Sequence, residues 1–499
     1  MKITAVGVLY SISLLYFFLR YWFKPTKAIS RLWGLTIFGF LFLDLGWFMK
    51  IGTYELDYYF LGYGFLFLYL ITHIRNLNMK SKAFEITLGI IILLFLGLLF
   101  RSISSEVILT IDHSIISDSL WSGSSLVAIS VNSYTYIVLI KSIIFFLCIG
   151  MSASEIKKLD IKAINDILSI GAIAFICLGL FEFLLNNSVN PTLFRNLIFK
   201  LFGENDTAVK IPYYRAGLYS LLITCKEPSY VSQTLFYCSI ILAFSYSITK
   251  KKNYVSWVIL SVVTSLITLT VSAVFLSVIL LIILFYCSYG KIRKRITIAS
   301  IFALIIGFVT VSIKPDILSY YLGRTSGISD LFSLFLISPT NPLIFSTTGG
   351  SLVFRLYAML NVGLVWIKHP LFGIGIGTAT SDCGLITILS NVGIVGLILI
   401  LIQWSLVSKQ ITGIKTKKGS ILLVLLSQLF IGGITDFTFT PLLLMTLVLI
   451  NFMKQKDHVY VLVSNQANKF VIHYCSLKER ICFLDELDNI SLMAYVSKT

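Results

Sequence analysis

Two stretches of this 499-residue chain carry the side chains best suited to chemistry. The first runs from Arg215-Ala-Gly-Leu to Thr224-Cys-Lys-Glu-Pro-Ser-Tyr230, the second from Arg355 to His369-Pro-Leu-Phe-Gly-Ile-Gly-Ile-Gly377. Each pairs an arginine with an ionisable residue standing directly before a proline, Glu227-Pro228 in one and His369-Pro370 in the other. A guanidinium meets two oxygens of a pyrophosphate at once, which the point charge of lysine does not. An imidazole titrating near neutrality takes or gives a proton, and a carboxylate can do the same for a hydroxyl. The chemistry implied is recognition of a phosphate ester with proton transfer beside it.

Both stretches also have an architectural reading. Pro228 suits the first turn of a helix, where its missing N–H would lack a partner anyway. Glu227 then faces the positive end of the helix dipole, and Arg215 would bind lipid phosphate. Alternating Gly373, Gly375 and Gly377 let backbone approach a ligand or another helix closely. On that reading the segment is a flexible re-entry to the next helix, with His369 an interfacial residue. The glycines follow no strand, so they are not a nucleotide fingerprint.

The elements that must hold these residues are membrane helices. Apolar residues make up 57% of the chain and charged ones 13%, with a mean hydropathy of +0.90. A soluble domain has about 45–50% and 25%. Backbone N–H and C=O groups find no partner in a bilayer, so spans must be helices or a closed barrel, and the apolar runs lack barrel alternation. Thirteen runs read as spans: 3–19, 32–49, 57–74, 84–100, 133–151, 164–185, 229–248, 254–271, 273–289, 296–313, 384–407, 420–435 and 439–453. The first has only Lys2 before it and no small-residue cleavage site after it, so it reads as a span rather than a removed signal peptide.

Charge sets the orientation. Basic clusters follow the odd-numbered runs, from Lys24, Lys27 and Arg31 to Lys409, Lys415, Lys417 and Lys418, while short loops after even runs are nearly free of them. The positive-inside rule then puts the N-terminus outside and the C-terminus in the cytoplasm. It also accounts for the net charge of +17 without invoking nucleic acid. Residues 1–453 form the transmembrane domain, with long outside loops at 101–132, 186–228 and 314–383. Loops beyond about 12–15 residues are commonly functional or disordered. Within the third, Leu352 to Ile367 fits a helix lying at the membrane surface. The polar tail 454–499 carries no motif and reads as a short cytoplasmic appendage.

Eight cysteines show no CxxC pair or zinc-type cluster, so no metal is expected. Cys225 and Cys383 fall in outside loops, where a disulfide and two separate thiols are both open. Asp44, Lys141 and Glu182 fall within spans, where charges are normally paired or face a cavity. They read either as internal ion pairs or as part of a polar path for a lipid headgroup.

Arg215 with Glu227-Pro-Ser-Tyr230, Thr268-Leu-Thr-Val-Ser272, Arg355 with His369-Pro-Leu-Phe-Gly-Ile-Gly-Ile-Gly377, and Asn391-Val-Gly393-Ile-Val-Gly396 resemble the bacterial O-antigen polymerase and ligase superfamily. The resemblance covers roughly residues 160–450. It implies a GT-C-type polytopic bundle in the inner membrane that uses undecaprenyl-pyrophosphate-linked glycan at the periplasmic face. It assigns catalytic roles to Arg215, Glu227, Arg355 and His369, and substrate contacts to Lys226, Tyr230, Gly373, Gly375, Gly377 and Asp382. The two arginines would supply the positive charge, so no metal or cofactor is called for. A chain-length regulator is the protein partner such an enzyme would have.

Two departures bear on the choice within the superfamily. Its ligases carry a His-Asn before the eleventh span, where this chain has Asp382-Cys383; the turn after Thr268 reads Val271-Ser272-Ala273 rather than ending in Ser-Arg. The Glu-Pro-Ser-Tyr step resembles Wzy-type polymerases. Polymerase is therefore the first expectation, ligase the second, and a polysaccharide-unit flippase or transporter the alternative of another class.

Overall fold

The computed structural model describes residues 2–43, 49–51, 54–76, 81–103, 107–108, 127–128, 131, 133–155, 160–203, 210–215, 217–225, 227–287, 319, 328–337, 351–376, 383–412, 416–429, 440–453, 460–466 and 469–475. Capping chemistry fixes several helix starts. The hydroxyl of Thr4 accepts the Gly7 N–H at 2.9 Å to open α1 (Ala5–Arg20), and Pro25 stands in the first turn of α2 (Pro25–Phe42). After α3 (Tyr58–Thr72), α4 (Lys82–Ile103) and α5 (Ser133–Glu155), the Asp160 carboxylate caps α6 (Ile161–Ser188) by accepting the Ala163 N–H. Next come α7 (Leu193–Phe202), α8 (Pro228–Thr249), α9 (Asn253–Ile267) and α10 (Val271–Cys287). The later helices are α11 (Ile328–Ile337), α12 (Ser351–Lys368), α13 (Gly384–Thr412), α14 (Lys418–Ser427) and α15 (Thr440–Met453).

A helix stands at each apolar run that the described residues cover; the run 296–313 lies outside them, as does Asp44. Among the described residues five helices, within α4, α5, α6, α8 and α13, are long and apolar enough to cross a membrane. Several shorter apolar helices accompany them, and the architecture is compatible with a multi-pass membrane protein. The stretch 352–367 is indeed helical, as α12. The all-α expectation needs one amendment. Short antiparallel pairings join β1 (Lys2–Ile3), β2 (Met49–Ile51) and β3 (Tyr54–Leu56), β4 (Val107–Ile108) and β5 (Val127–Ala128), and β6 (Tyr214–Arg215) and β7 (Leu218–Tyr219). The tail contributes a hairpin, β8 (Tyr460–Gln466) with β9 (Lys469–Cys475).

One continuous hydrophobic core runs through α1–α6, α8, α10 and α13–α15. Buried polar side chains cross between helices inside it. Asn165 on α6 donates to Ser245 on α8, Gln403 on α13 to Thr87 on α4, and Asn451 on α15 to Ser408 on α13, each at 2.7–2.8 Å. Within a membrane such bonds contribute about 0.6 kcal/mol each. Lys141 on α5 forms its ion pair with Asp57, the residue preceding α3, at 3.3 Å.

Candidate functional site

Glu182, fully buried near the end of α6, organises the approach to the first motif. One carboxylate oxygen accepts two successive backbone N–H groups, from Leu222 at 3.0 Å and Ile223 at 2.6 Å. The other accepts from the Asn186 amide at 3.4 Å. Arg195, also fully buried, reaches from α7 to the carbonyl of Ile223 at 3.2 Å and attracts the carboxylate electrostatically. Ile223 adopts a left-handed backbone, with φ of 48°. That conformation is costly for a β-branched residue. The two N–H groups converging on one anion form the concave arrangement that suits a carboxylate.

The clamp lies between two parts of the motif. Before it, β6 and β7 form a hairpin pairing Tyr214 with Tyr219 and Arg215 with Leu218, turning at Gly217 with φ of 81°. The Tyr219 N–H donates to Asn187 of α6 at 3.0 Å, tying the hairpin to that helix. After it, Glu227 is the N-terminal flanking residue of α8, with Pro228 in the first turn, as the architectural reading expects. Its half-buried carboxylate accepts from the Ser229 hydroxyl at 3.3 Å. Tyr230 is half-buried and packs on the core.

A relay of hydroxyl groups links this helix start to the Thr268–Ser272 turn between α9 and α10. Ser232 and Ser272 lie 3.0 Å apart, Ser272 donates to Thr270 at 3.2 Å, and Thr270 and Thr268 are 3.0 Å apart. Two segments distant in sequence thus share one polar seam.

The second motif is built differently. α13 is broken at Gly393, whose φ of 67° and ψ of −172° interrupt the helix. The loop after His369 fills the break. Ile374 and Gly375 donate their N–H groups to the carbonyls of Ser390 and Asn391 at 2.8 and 3.1 Å. On the far side, Ile394 and Val395 donate to the carbonyls of Pro370 and Leu371 at 2.9 and 3.1 Å. Four backbone groups that the break would leave open are satisfied by loop backbone. A side chain at Gly393 would collide with the Leu371 carbonyl, and one at Gly375 with Gly97 on α4. Buried Arg101, also on α4, donates to the Ile376 carbonyl at 3.0 Å.

His369 closes α12, its N–H donating to the Val365 and Trp366 carbonyls at 3.1 Å. The half-buried imidazole lies edge-on to Phe100 at 5.5 Å. Arg355 stands in the first part of α12, so the helix from Arg355 to Lys368 sets its backbone about 20 Å from His369. The first motif is held by α6, α7, α8 and the α9–α10 turn, the second by α4, α12 and α13, and both pack on the same core.

Lys226, Gly377 and Asp382 lie outside the described residues. Cys225 and Cys383 are both buried and no disulfide joins them; the Cys225 thiol lies 3.9 Å from the Thr234 hydroxyl. Glu182 and Lys141 are not each other's partners: one clamps a loop and the other pairs with Asp57. Among the described residues no group of three or more His, Cys, Asp and Glu side chains is placed to hold a metal. Sequence reading missed Arg195 and Arg101 altogether. The signal for Arg195 was a basic residue flanked by Phe194 and Ile198 on an otherwise apolar helical face; for Arg101 it was a charge ending an apolar run. No family model, curated protein or solved structure matches this chain.

Proposed function

We propose that this chain is a glycosyltransferase of the bacterial inner membrane. It joins oligosaccharide repeat units carried on undecaprenyl pyrophosphate into O-antigen or a related surface polysaccharide. On this reading it is a thirteen-span, GT-C-type bundle with its N-terminus outside and both motif loops at the periplasmic face. The growing glycan on its carrier is the donor. A hydroxyl of the incoming lipid-linked unit attacks the donor's anomeric carbon, forming the new glycosidic bond as the bond to pyrophosphate breaks. Undecaprenyl pyrophosphate leaves with the electron pair. Arg215 and Arg355 offset the charge that develops on it. Glu227 or His369 takes the proton of the attacking hydroxyl. Because about 20 Å of helix separates Arg355 from His369, the two serve different parts of a long substrate.

The observation that best supports this reading is that both loops are built into the bundle. Glu182 and Arg195 hold residues 222–223, and the broken α13 with Arg101 holds residues 374–376. Binding groups mounted on such rigid supports are pre-organised, as transfer between two large substrates requires. Deleting the gene tests it: a polymerase mutant leaves a single repeat unit on its acceptor. Full-length glycan stranded on the carrier lipid would instead indicate a ligase.

One feature favours the transport alternative. Discontinuous helices such as α13 are common at transporter substrate sites. Here, however, the open ends of the two half-helices bond to the chain's own loop, as between Ile374 and Ser390.

A further inference from the structure

The segment between α6 and α8 carries an apolar surface unlike that of a solvated loop. Leu193, Leu197 and Leu201 recur along one side of α7 and are 51%, 52% and 40% exposed. Phe194, Arg195 and Ile198 are buried on the opposite side, against α1 and α6. Exposed Ile211, Tyr213 and Tyr214 add to it, and the Tyr214 ring packs on Tyr219 across the hairpin at 5.0 Å. Lys200 is exposed in the last turn of α7.

Two facts say what covers this face. It continues the exposed apolar side of α6, where Phe181 and Leu184 lead through Val189 into α7, and α6 is long and apolar enough to cross a membrane. Its composition is that of a membrane interface: leucines to enter the acyl region, tyrosines with an apolar ring and a polar tip, and a lysine for phosphate. In water, each such leucine would forgo about 25 cal/mol for every Å² left uncovered.

We propose that α7 and the β6–β7 hairpin form a platform lying in the outer-leaflet interface of the lipid bilayer. Leu193, Leu197 and Leu201 enter the acyl region, and Tyr213 and Tyr214 sit at headgroup depth. The proposal rests on residues 186–228 facing outward. It gives Arg215 a reason to stand in β6 directly after Tyr214: the hairpin holds that position at the depth where a lipid carries its phosphates.

The test uses the full-length protein in mixed phosphatidylglycerol and phosphatidylcholine vesicles containing a phospholipid with a photoactivatable carbene precursor near its glycerol. After irradiation, labelled peptides are mapped. Labelling over 193–202 and 211–214 is expected, as well as on the exposed side of α6. A variant carrying Leu193→Asn, Leu197→Asn and Leu201→Asn should lose the label over 193–202 and keep it on α6. Wild-type protein labelled on α6 but on neither α7 nor the hairpin would overturn the proposal. So would cross-links joining α7 of two copies in place of lipid adducts. If α7 labels while Arg215→Ala leaves polysaccharide length normal, the platform stands and the polymerase reading falls.

Discussion

The backbone N–H of Ile394 donates to the carbonyl of Pro370 at 2.9 Å, so the residue after His369 closes the open end of a broken helix. With the bonds from Val395, Ile374 and Gly375, this makes the loop a structural part of α13. In an apolar surround, each such group left unpaired would cost several kcal/mol. The conformation of the His369-Pro370 step and the integrity of α13 are therefore one property.

Gly393→Val should break this junction. The positive-φ backbone at this position is all but restricted to glycine and disfavours a side chain by roughly 1–3 kcal/mol, and the collision with the Leu371 carbonyl adds to it. A thiol-reactive dye in a thermal melt should report earlier exposure of the buried cysteines. Gly396 offers the comparison: an added methyl there meets the Val392 and Leu93 side chains rather than a backbone carbonyl and no positive φ is required, so Gly396→Ala should lower the melting temperature less.

The Glu182–Arg195 clamp predicts non-additive losses. Both side chains hold residues 222–223, Glu182 through two backbone N–H groups and Arg195 through one carbonyl, so removing either alone leaves buried backbone groups unsatisfied at about 1–3 kcal/mol each. Glu182→Gln should be milder than Glu182→Ala, because an amide oxygen still accepts from Leu222 and Ile223. The double variant Glu182→Leu with Arg195→Met should melt higher than at least one of its parent single variants. Strict additivity would mean the two side chains do not share the loop.

Much of this was legible in the sequence. Helix positions follow from apolar runs, and the start of α8 from the Glu227-Pro228 step. The alternating loop glycines predict close backbone approach, which Gly375 against Gly97 displays. What was not legible depends on long-range partners. Asn391-Val-Gly393 lies inside an uninterrupted apolar run, and hydropathy is blind to a break whose backbone groups are satisfied by residues about twenty positions earlier. Glu182 read as a charge in a span because its partners, the N–H groups of Leu222 and Ile223, belong to backbone and leave no trace in side-chain pattern. Cys225 and Cys383 both suit a disulfide by loop position, yet none joins them: each is buried in its own packing environment.

Lys141 separates transport from transferase chemistry more cleanly than Glu182 does, because Glu182 also holds a loop. Its pair with Asp57 is partly exposed, at 16% and 26%. Such pairs contribute about 1 kcal/mol or less. Lys141→Ala should leave polysaccharide made and exported in normal amount, with a small drop in melting temperature. Loss of export with normal protein level would favour a transporter.

Arg355 and His369 should act independently. Their separation of about 20 Å exceeds the range over which substitutions usually couple. In a reconstituted assay with lipid-linked repeat units, the fractional rate of the double variant Arg355→Ala, His369→Ala should equal the product of the two single fractions. A double variant no worse than the weaker single would mean that the two side chains act as one unit rather than on separate parts of the substrate.

The most direct measurement is the chain-length ladder of surface polysaccharide in strains carrying Arg215→Ala or Arg355→Ala, with the amount of membrane-inserted protein measured beside it. If the guanidinium groups offset charge on a leaving pyrophosphate, both strains lose long chains, keep a single repeat unit on the acceptor, and contain normal protein. Normal ladders in both strains would contradict the proposed chemistry.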